Sequence, residues 1–154
     1  MILNIKTAVK SQADDIAKVL ASCLAADSEK MKSYGSDFPR ECIRNSLLAA
    51  TITCDKIVRG VCVCEVSPVP DGCEITALYI EDGFRGMGLG RKLLAHSLRE
   101  MRAHRMKTAI IWVDERSLRV AAFLKRFGFQ QDGKSRRMLG INEDYNELRY
   151  RIDI

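Results

Sequence analysis

Long apolar stretches, aromatic side chains and closely spaced metal ligands are all scarce in this 154-residue chain. No apolar run approaches the ~20 residues that a membrane-spanning helix needs. The N-terminus lacks the basic-then-apolar layout of a secretion signal, so we expect a cytoplasmic protein with no membrane partner. Aromatic residues make up 6% of the chain, too few for a single-strand nucleic-acid platform, which interleaves basic and stacking residues. Nucleic acid is therefore a disfavoured partner.

Six cysteines are present, but their setting argues against disulfides and metal. None forms a C-x2-C pair, and the two histidines lie far from the cysteine-rich segment at 54–73. A zinc site on neighbouring strands is the less favoured alternative. Each cysteine lies in an apolar or strand-like stretch, so we expect free, buried thiols and no metal. The six are Cys23, Cys42, Cys54, Cys62, Cys64 and Cys73.

The overall composition predicts one ordinary soluble domain covering residues 1–154. Hydrophobic residues make up 47% and charged residues 29%, which is typical of a globular core with a solvated surface. The formal net charge is +5, from 25 basic and 20 acidic residues. An excess of that size suggests an anionic partner, but it leaves phosphate ligands, nucleic acid and plain solubility open.

Apolar periodicity and turn residues predict the element order β-α-α-β-β-β-α-β-α-β-β. The first helix is expected to start at an N-cap, Ser11, and the unit from 73 to 113 to join two parallel strands through a right-handed crossover. Strands are predicted at 2–9, 51–54, 57–66, 73–80, 108–113, 129–139 and 148–154. Helices are predicted at 11–24, 39–49, 89–104 and 117–127.

A glycine-rich loop at 81–90, with the sequence E-D-G-F-R-G-M-G-L-G, separates the fourth strand from the third helix. The first amides of a helix lack intrahelical acceptors and carry partial positive charge, and glycines let a phosphate approach them closely. Arg85, Arg91 and Lys92 add full positive charges. The segment therefore predicts a phosphate cradle.

Spacing excludes two common phosphate loops. Gly83-x4-Gly88 is followed by leucine where a Walker loop needs lysine. A dinucleotide fingerprint would need glycine at 91 or 93, which are arginine and leucine. A tight turn without a ligand is the remaining alternative, and it leaves Arg85 unexplained.

The sequence R-G-M-G-L-G at 85–90 resembles the R/Q-x-x-G-x-G/A acetyl-CoA loop of the GNAT superfamily of N-acyltransferases. L-Y-I at 78–80 is similar to the family's L-Y-V strand, and A-A-F-L-K-R-F-G-F at 121–129 to its A-x-x-F/L-Y-x-K-x-G-F helix end. The resemblance implies a single N-acetyltransferase domain with an α/β, GNAT-like fold. Its centre would be a twisted, mixed and mostly antiparallel sheet of about seven strands, with four helices.

The resemblance also implies which residues hold acetyl-CoA. Loop amides would bind the pyrophosphate, Arg85 and Gly86 would shape the turn, and the end of the fourth strand would offer backbone groups to pantetheine. Ser117 stands where many members carry an asparagine that contacts the cofactor, although it is equally suited to be a helix N-cap. The implied cofactor-binding set is Leu78, Tyr79, Ile80, Arg85, Gly86, Met87, Gly88, Leu89, Gly90, Arg91 and Ser117.

The resemblance leaves the catalytic residues less complete. Leu124 stands where many members place the tyrosine that protonates the CoA thiolate, and leucine cannot donate a proton. We take Tyr145 as the candidate acid, with Tyr79, Tyr150 and water as alternatives. Glu74 opens the fourth strand where members often carry an acid, and it is the candidate base, unless it is a solvent-facing strand residue.

The implied reaction is transfer of an acetyl group from acetyl-CoA to a primary amine, by direct attack in a ternary complex. An acyl-CoA-binding module without transferase activity, and a protein rather than a small-molecule acceptor, remain alternatives. Segments 27–40 and 140–146 are expected to build the acceptor pocket, and an acidic rim of Glu143, Asp144 and Glu147 would suit a cationic amine or a solvated hairpin tip. A homodimer is left open.

Overall fold

The computed structural model describes residues 1–8, 12–25, 38–140 and 142–154. Within these residues, seven strands and four helices follow the predicted order, and the predicted fold class is confirmed. The elements are β1 (Leu3–Thr7), α1 (Ala13–Ala25), α2 (Phe38–Arg44), β2 (Leu48–Cys54), β3 (Ile57–Val66), β4 (Gly72–Ile80), α3 (Leu89–Ala103), β5 (Thr108–Asp114), α4 (Leu118–Phe127), β6 (Gln130–Met138) and β7 (Tyr145–Asp153).

All seven strands form one sheet in the order β1-β2-β3-β4-β5-β7-β6. Each neighbouring pair is antiparallel except β4 and β5, which run parallel because α3 carries the chain across between them. The predicted parallel unit at 73–113 is therefore confirmed.

The β2–β3 turn consists of Asp55 and Lys56, both with positive φ (49° and 71°), as a two-residue hairpin requires.

Two apolar clusters lie on opposite faces of the sheet. Helices α3 and α4 cover the larger one, which includes Leu93, Leu94 and Leu124. Helices α1 and α2 cover the smaller one, with Ile16 and Leu20 against β3 and β4. Since side chains alternate along a strand, each central strand contributes to both clusters.

The cysteines belong to these clusters. Cys42, Cys54, Cys62, Cys64 and Cys73 are buried free thiols, as expected, and the side chain of Cys23 lies outside the described part of the chain. Burial raises the pKa of the Cys42 thiol to about 11. The described residues contain no group of three or more candidate metal ligands, and none of their helices is long and apolar enough to cross a membrane.

One helix boundary differs from the prediction. The helix expected at 39–49 ends at Arg44, and β2 begins at Leu48 rather than at 51. Every residue of β2 is buried, with Ala49 in the smaller cluster and Leu48 and Ala50 in the larger one. A strand buried on both faces has no apolar alternation, so its first residues resemble a helix end.

One strand boundary also differs from the prediction. Strand β7 begins at Tyr145 rather than at 148, because Tyr145 already pairs with Met138 of β6. The helix start at Ser11 and the acceptor segment at 27–37 lie outside the described residues.

Candidate functional site

The parallel strands β4 and β5 separate soon after they meet. They pair only where Gly72, Cys73 and Glu74 face residues 108–110, although both strands continue beyond that point. On the other side of β4 a register shift leaves Thr76 as an extra residue, a β-bulge that bends the strand. The edge of β4 over residues 75–80 therefore has no ladder partner on β5, and we call the gap between these two strand segments the cleft.

The glycine loop, residues 81–91, follows β4 and is shaped by three left-handed glycines. Gly83, Gly86 and Gly88 have φ of 88°, 77° and 77°, a region that other residues enter at a cost of about 1–2 kcal/mol. A Cβ at any of the three would meet no atom within 4 Å, so the concave backbone is open. Gly88 is the N-cap of α3 and provides no side-chain cap, which leaves the first amides of the helix available to an anion.

Two arginine side chains stabilise this loop through hydrogen bonds and ion pairs. Arg85 donates from Nε to the carbonyl of Ile80 at 3.0 Å and pairs with Asp82 at 3.3 Å. Arg59 of β3 pairs with Glu81 at 2.8 Å and lies 4.5 Å from the centroid of the Phe84 ring. The loop acids are therefore neutralised locally. The exposed cations at the start of α3 remain available for a ligand.

Helix α4 supports the start of α3. The Phe123 ring would lie 3.7 Å from a Cβ at Gly90, and Arg91 stacks over Phe127 at 5.3 Å. Ser117 occupies the N-cap position of α4, but its hydroxyl makes no capping hydrogen bond. Leu124 is fully buried in the larger cluster, where it packs as a core residue.

Glu74 lies on the sheet face that carries the smaller cluster. Its neighbour Cys73 points into the larger cluster, so Glu74 points the other way, beside Ile110 in the parallel ladder. Partial burial raises the pKa of the Glu74 carboxyl. The positive charge of Arg136 and the polar edge of the neighbouring Trp112 indole oppose this shift and lower the pKa.

A second carboxylate faces Glu74 directly. Glu65 of β3 is its partner in the ladder, and no salt bridge to either carboxylate is found among the described residues. Burial, and then the charge of Glu74, raises the pKa of Glu65. Like charges directly opposite one another in a sheet repel, so the ionised pair stores an unfavourable interaction.

Trp112 lies against two arginines that belong to a set of ion pairs that the sequence did not reveal. Arg136 of β6 lies 4.4 Å above the Trp112 ring, and Arg149 of β7 lies 5.8 Å from it. Arg136 pairs with Glu147 at 2.7 Å and Arg149 with Asp132 at 2.6 Å. We call Glu65, Glu74, Trp112, Asp132, Arg136, Glu147 and Arg149 the Glu74 cluster.

Glu147 corrects one expectation. It was predicted at the rim of the acceptor pocket with Glu143 and Asp144, but it is a fully buried residue of β7. Its register pairs it with Arg136 on β6, which supplies the cation that burial of a carboxylate requires. Its Oε2 atom is buried and has no hydrogen-bond partner.

The candidate proton donors are dispersed. Tyr145 is 5% exposed, and Arg116 lies 4.8 Å above its ring while pairing with Asp114 at 2.8 Å. Tyr150 faces the larger cluster, and its hydroxyl accepts from Gln131 at 3.0 Å. Tyr79 packs against the smaller cluster, so the three do not converge on one point.

Comparison with known proteins is consistent with this geometry. The family model described as the Acetyltransferase (GNAT) family matches residues 16–129. The chain therefore belongs to the GNAT acetyltransferase family, which confirms the resemblance carried by the glycine loop. A search of curated protein sequences finds no significant match.

Solved structures show the same fold at low sequence identity. An N-acetyltransferase from Staphylococcus aureus Mu50 has a TM-score of 0.77 at 18% identity, covering 99% of each chain. The ribosomal-protein-S18-alanine N-acetyltransferase from Escherichia coli has a TM-score of 0.76 at 14% identity, covering 99% of this chain and 94% of that one. PaiA N-acetyltransferase from Thermoplasma acidophilum, in complex with coenzyme A, has a TM-score of 0.75 at 12% identity, covering 100% of both.

Proposed function

We propose that this protein transfers an acetyl group from acetyl-CoA to a primary amine in a ternary complex. The observation that carries the proposal is the open cradle of left-handed glycines at the start of α3, placed where β4 and β5 separate. The coenzyme A bound to the structurally similar PaiA protein supports it. Free thiols throughout the described core suit a cytoplasmic location.

The residues present fit an acyl-CoA. Amides of Met87, Gly88, Leu89, Gly90 and Arg91 would hold the pyrophosphate, because they surround a helix start with no side-chain cap. The open space at each loop glycine leaves room for the phosphates. When bound, acetyl-CoA supplies the acetyl group as an activated thioester.

Neighbouring segments complete the cofactor site that we propose. Residues Leu78, Tyr79 and Ile80 border the cleft and would offer backbone groups to pantetheine. The hydroxyl of Ser117 makes no capping hydrogen bond, so it remains a candidate cofactor contact at the start of α4. Arg85 and Gly86 would act by holding the loop in its open shape.

Glu74 is the base that we propose for the acceptor. An alkylammonium group with a pKa of ~10 must lose a proton before its nitrogen can attack a carbonyl. A carboxylate whose pKa is raised by burial is a better proton acceptor than an exposed one. Glu74 lies where β4 and β5 begin to separate, so its carboxylate can receive that proton at the inner end of the cleft.

Tyr145 remains our candidate for returning a proton to the departing thiolate. A thiolate with a pKa of ~8.5 leaves partly unaided near neutral pH, so this step needs less assistance than removal of the ammonium proton. Because residue 124 is a buried leucine, any such proton donor must be a different residue.

The experiment is incubation with acetyl-CoA and a panel of small amines and amine-bearing peptides. Free thiol release, the mass of the product and the melting temperature are measured together. We expect stabilisation by acetyl-CoA and acetylation of at least one amine. The absence of both stabilisation by acetyl-CoA and thiol release would contradict the proposal.

One observation favours a second function, an acyl-CoA-binding module without transferase activity. Leu124 is a core residue at the position where many family members carry their proton donor. Stabilisation by acetyl-CoA without turnover of any amine would support this alternative, and product formation would exclude it.

A further inference from the structure

Arg59 is an extra residue in strand β3, and it lies beside the start of the glycine loop. In the ladder with β2, the residues on either side, Val58 and Gly60, both have partners, and Arg59 has none. This arrangement is a β-bulge, and a bulge takes a side chain out of the regular alternation of its strand. The Arg59 side chain is therefore directed by the bulge rather than by the pleat of the sheet.

The backbone at this bulge is tightly packed against the end of β4. A Cβ at Gly60 would lie 2.5 Å from Cδ1 of Ile80 and 2.8 Å from Cγ2 of Ile52. The amide of Glu81 donates to the carbonyl of Arg59 at 2.8 Å, which extends the pairing of β3 and β4 by one residue. The first residue of the glycine loop is thereby fixed to the sheet.

The side chain of Arg59 makes two further contacts with the loop. Its Nη1 donates to Oε2 of Glu81 at 2.8 Å, and its guanidinium lies 4.5 Å from the centroid of the Phe84 ring. Phe84 packs against the larger cluster, and its amide donates to the carbonyl of Glu81 at 3.1 Å. The side chains of Arg59 and Glu81 are 25% and 32% exposed, so water screens this pair less than a surface ion pair. Arg59 therefore contacts both ends of the turn at 81–84.

The rest of the loop has weaker restraints. Its three left-handed glycines have no side chains to hold them, and the pair between Arg85 and Asp82 is exposed to water. Stability alone does not account for an arginine at position 59, because its Nε is buried without a hydrogen-bond partner among the described residues, and such a donor costs free energy. A loop of this kind needs contacts from outside to keep its amides in place before a ligand binds.

We propose that Arg59 is a positioning residue of the cofactor site, which holds the glycine loop of the free protein, through Glu81 and Phe84, in the conformation that binds the pyrophosphate of acetyl-CoA. Its role is indirect, because its Nη1 already donates to Glu81. When only one conformation binds a ligand, the apparent Kd rises as the population of that conformation falls. This inference rests on the proposed function, because it assigns the residue that prepares the cofactor site of that reaction.

Hydrogen exchange of the free protein tests the contact without any ligand. The amides of Glu81 and Phe84 are hydrogen-bonded at the start of the loop, so their exchange rates, measured by NMR, report how often the turn opens. We expect both amides to exchange several-fold faster in Arg59→Ala than in the parent protein. Equal exchange rates in the two proteins would overturn the proposal.

The affinity for acetyl-CoA gives the second test. If Arg59→Ala lowers the binding conformation to about one tenth of the molecules, the Kd for acetyl-CoA rises about tenfold. The KM for acetyl-CoA should rise with it, while kcat at saturating acetyl-CoA stays near the parent value. Arg149→Ala is the matched control for Kd, since Arg149 also pairs with a partly buried acid beside an aromatic ring, but on β7. A fall in kcat with an unchanged KM and Kd would contradict the proposal.

A double-mutant cycle separates positioning from direct contact with the phosphates. Glu81→Gln releases the guanidinium of Arg59 and removes a negative charge near the ligand, and both changes would favour direct binding of an anion. If Arg59 acts through Glu81, Glu81→Gln should instead weaken acetyl-CoA binding, and the double variant should bind no more weakly than Arg59→Ala. Unchanged or tighter binding in Glu81→Gln would refute the indirect role.

Each part of the test can fail separately. If Arg59→Ala does not fold, Glu81→Gln keeps the shape of the side chain and still decides the question by its exchange rates and its Kd. If the parent protein does not bind acetyl-CoA, the proposed function fails, and the exchange rates of the free protein still show whether Arg59 holds the loop.

Discussion

The glycine loop and the Glu74 cluster meet at strand β4, which carries Glu74 near its start and leads into the loop at its end. The loop is built from backbone, with three left-handed glycines and uncapped helix amides. The Glu74 cluster is built from side chains on five strands, β3 to β7. A backbone site tolerates little change at its glycines, whereas a side-chain site is tuned by charges that can be removed one at a time.

The largest expected effect is on the glycine loop, whose site is built from backbone. Gly88→Trp places a large side chain at a φ of 77° in the open cradle, so it should abolish the rise in melting temperature caused by acetyl-CoA, and turnover with it. Gly133→Trp in β6 is the matched control, since Gly133 also has a positive φ (84°) and open space around it. Its response to acetyl-CoA should survive. Retained binding in Gly88→Trp would refute the loop assignment.

The next effect tests the side-chain region. Glu74→Gln should lower kcat/KM by about 10²–10³-fold near neutral pH, a loss typical of a removed general base, and leave acetyl-CoA binding intact. The loss should shrink as the pH approaches the amine's own pKa of ~10, because free amine needs no base. Steady-state kinetics against pH measure both. Glu65→Gln, which changes the facing carboxylate, should retain activity near neutral pH. Equal losses of kcat/KM in the two variants would show that Glu74 is not the general base.

A smaller effect concerns the stability of the Glu74 cluster. Arg136→Ala leaves the carboxylate of Glu147 buried without its cation, so the free energy of unfolding should fall by about 2–3 kcal/mol. Its sequence neighbour Arg137 pairs with Asp144 at the surface, and Arg137→Ala should cost no more than about 1 kcal/mol. Denaturant unfolding of the two variants gives the comparison directly. Equal costs would show that burial of Glu147 does not depend on Arg136.

The smallest effect is a gain. The pKa of Glu65 is raised in the folded state, so the folded protein binds its proton more tightly than the unfolded chain, and stability is lost as the pH rises through that window. Glu65→Gln should therefore raise the melting temperature slightly at pH 7. The gain should vanish below about pH 4, where both states are protonated. A melting temperature that falls in Glu65→Gln at pH 7 would show that Glu65 has a stabilising partner.

Local patterns predicted most of the fold, and the exceptions share a cause. Glycines, the hairpin turn and amphipathic helices specify structure over a few residues, which is why α3, α4 and the β2–β3 hairpin were placed correctly. The start of strand β2 was predicted too far along the chain, because burial on both faces removes the alternation that identifies a strand. Burial on both faces is a property of the packed sheet, and it cannot be seen in the segment itself.

The same distinction divides the site. The loop and Glu74 were named from motif and position, whereas Trp112, Arg136 and Arg149 were missed. These three residues lie on β5, β6 and β7, and only the register of those strands brings their side chains together. The pairing of Glu147 with Arg136 turned a predicted rim acid into a buried one for the same reason.

The sequence by itself determined the family, the element order and the conformation of the glycine loop, because positive φ and helix-start geometry demand particular residues at fixed spacing. The tertiary structure decided where β4 and β5 separate and which charges surround Glu74. Strand pairing joins residues far apart in the chain, and burial then selects which of their charges must be paired.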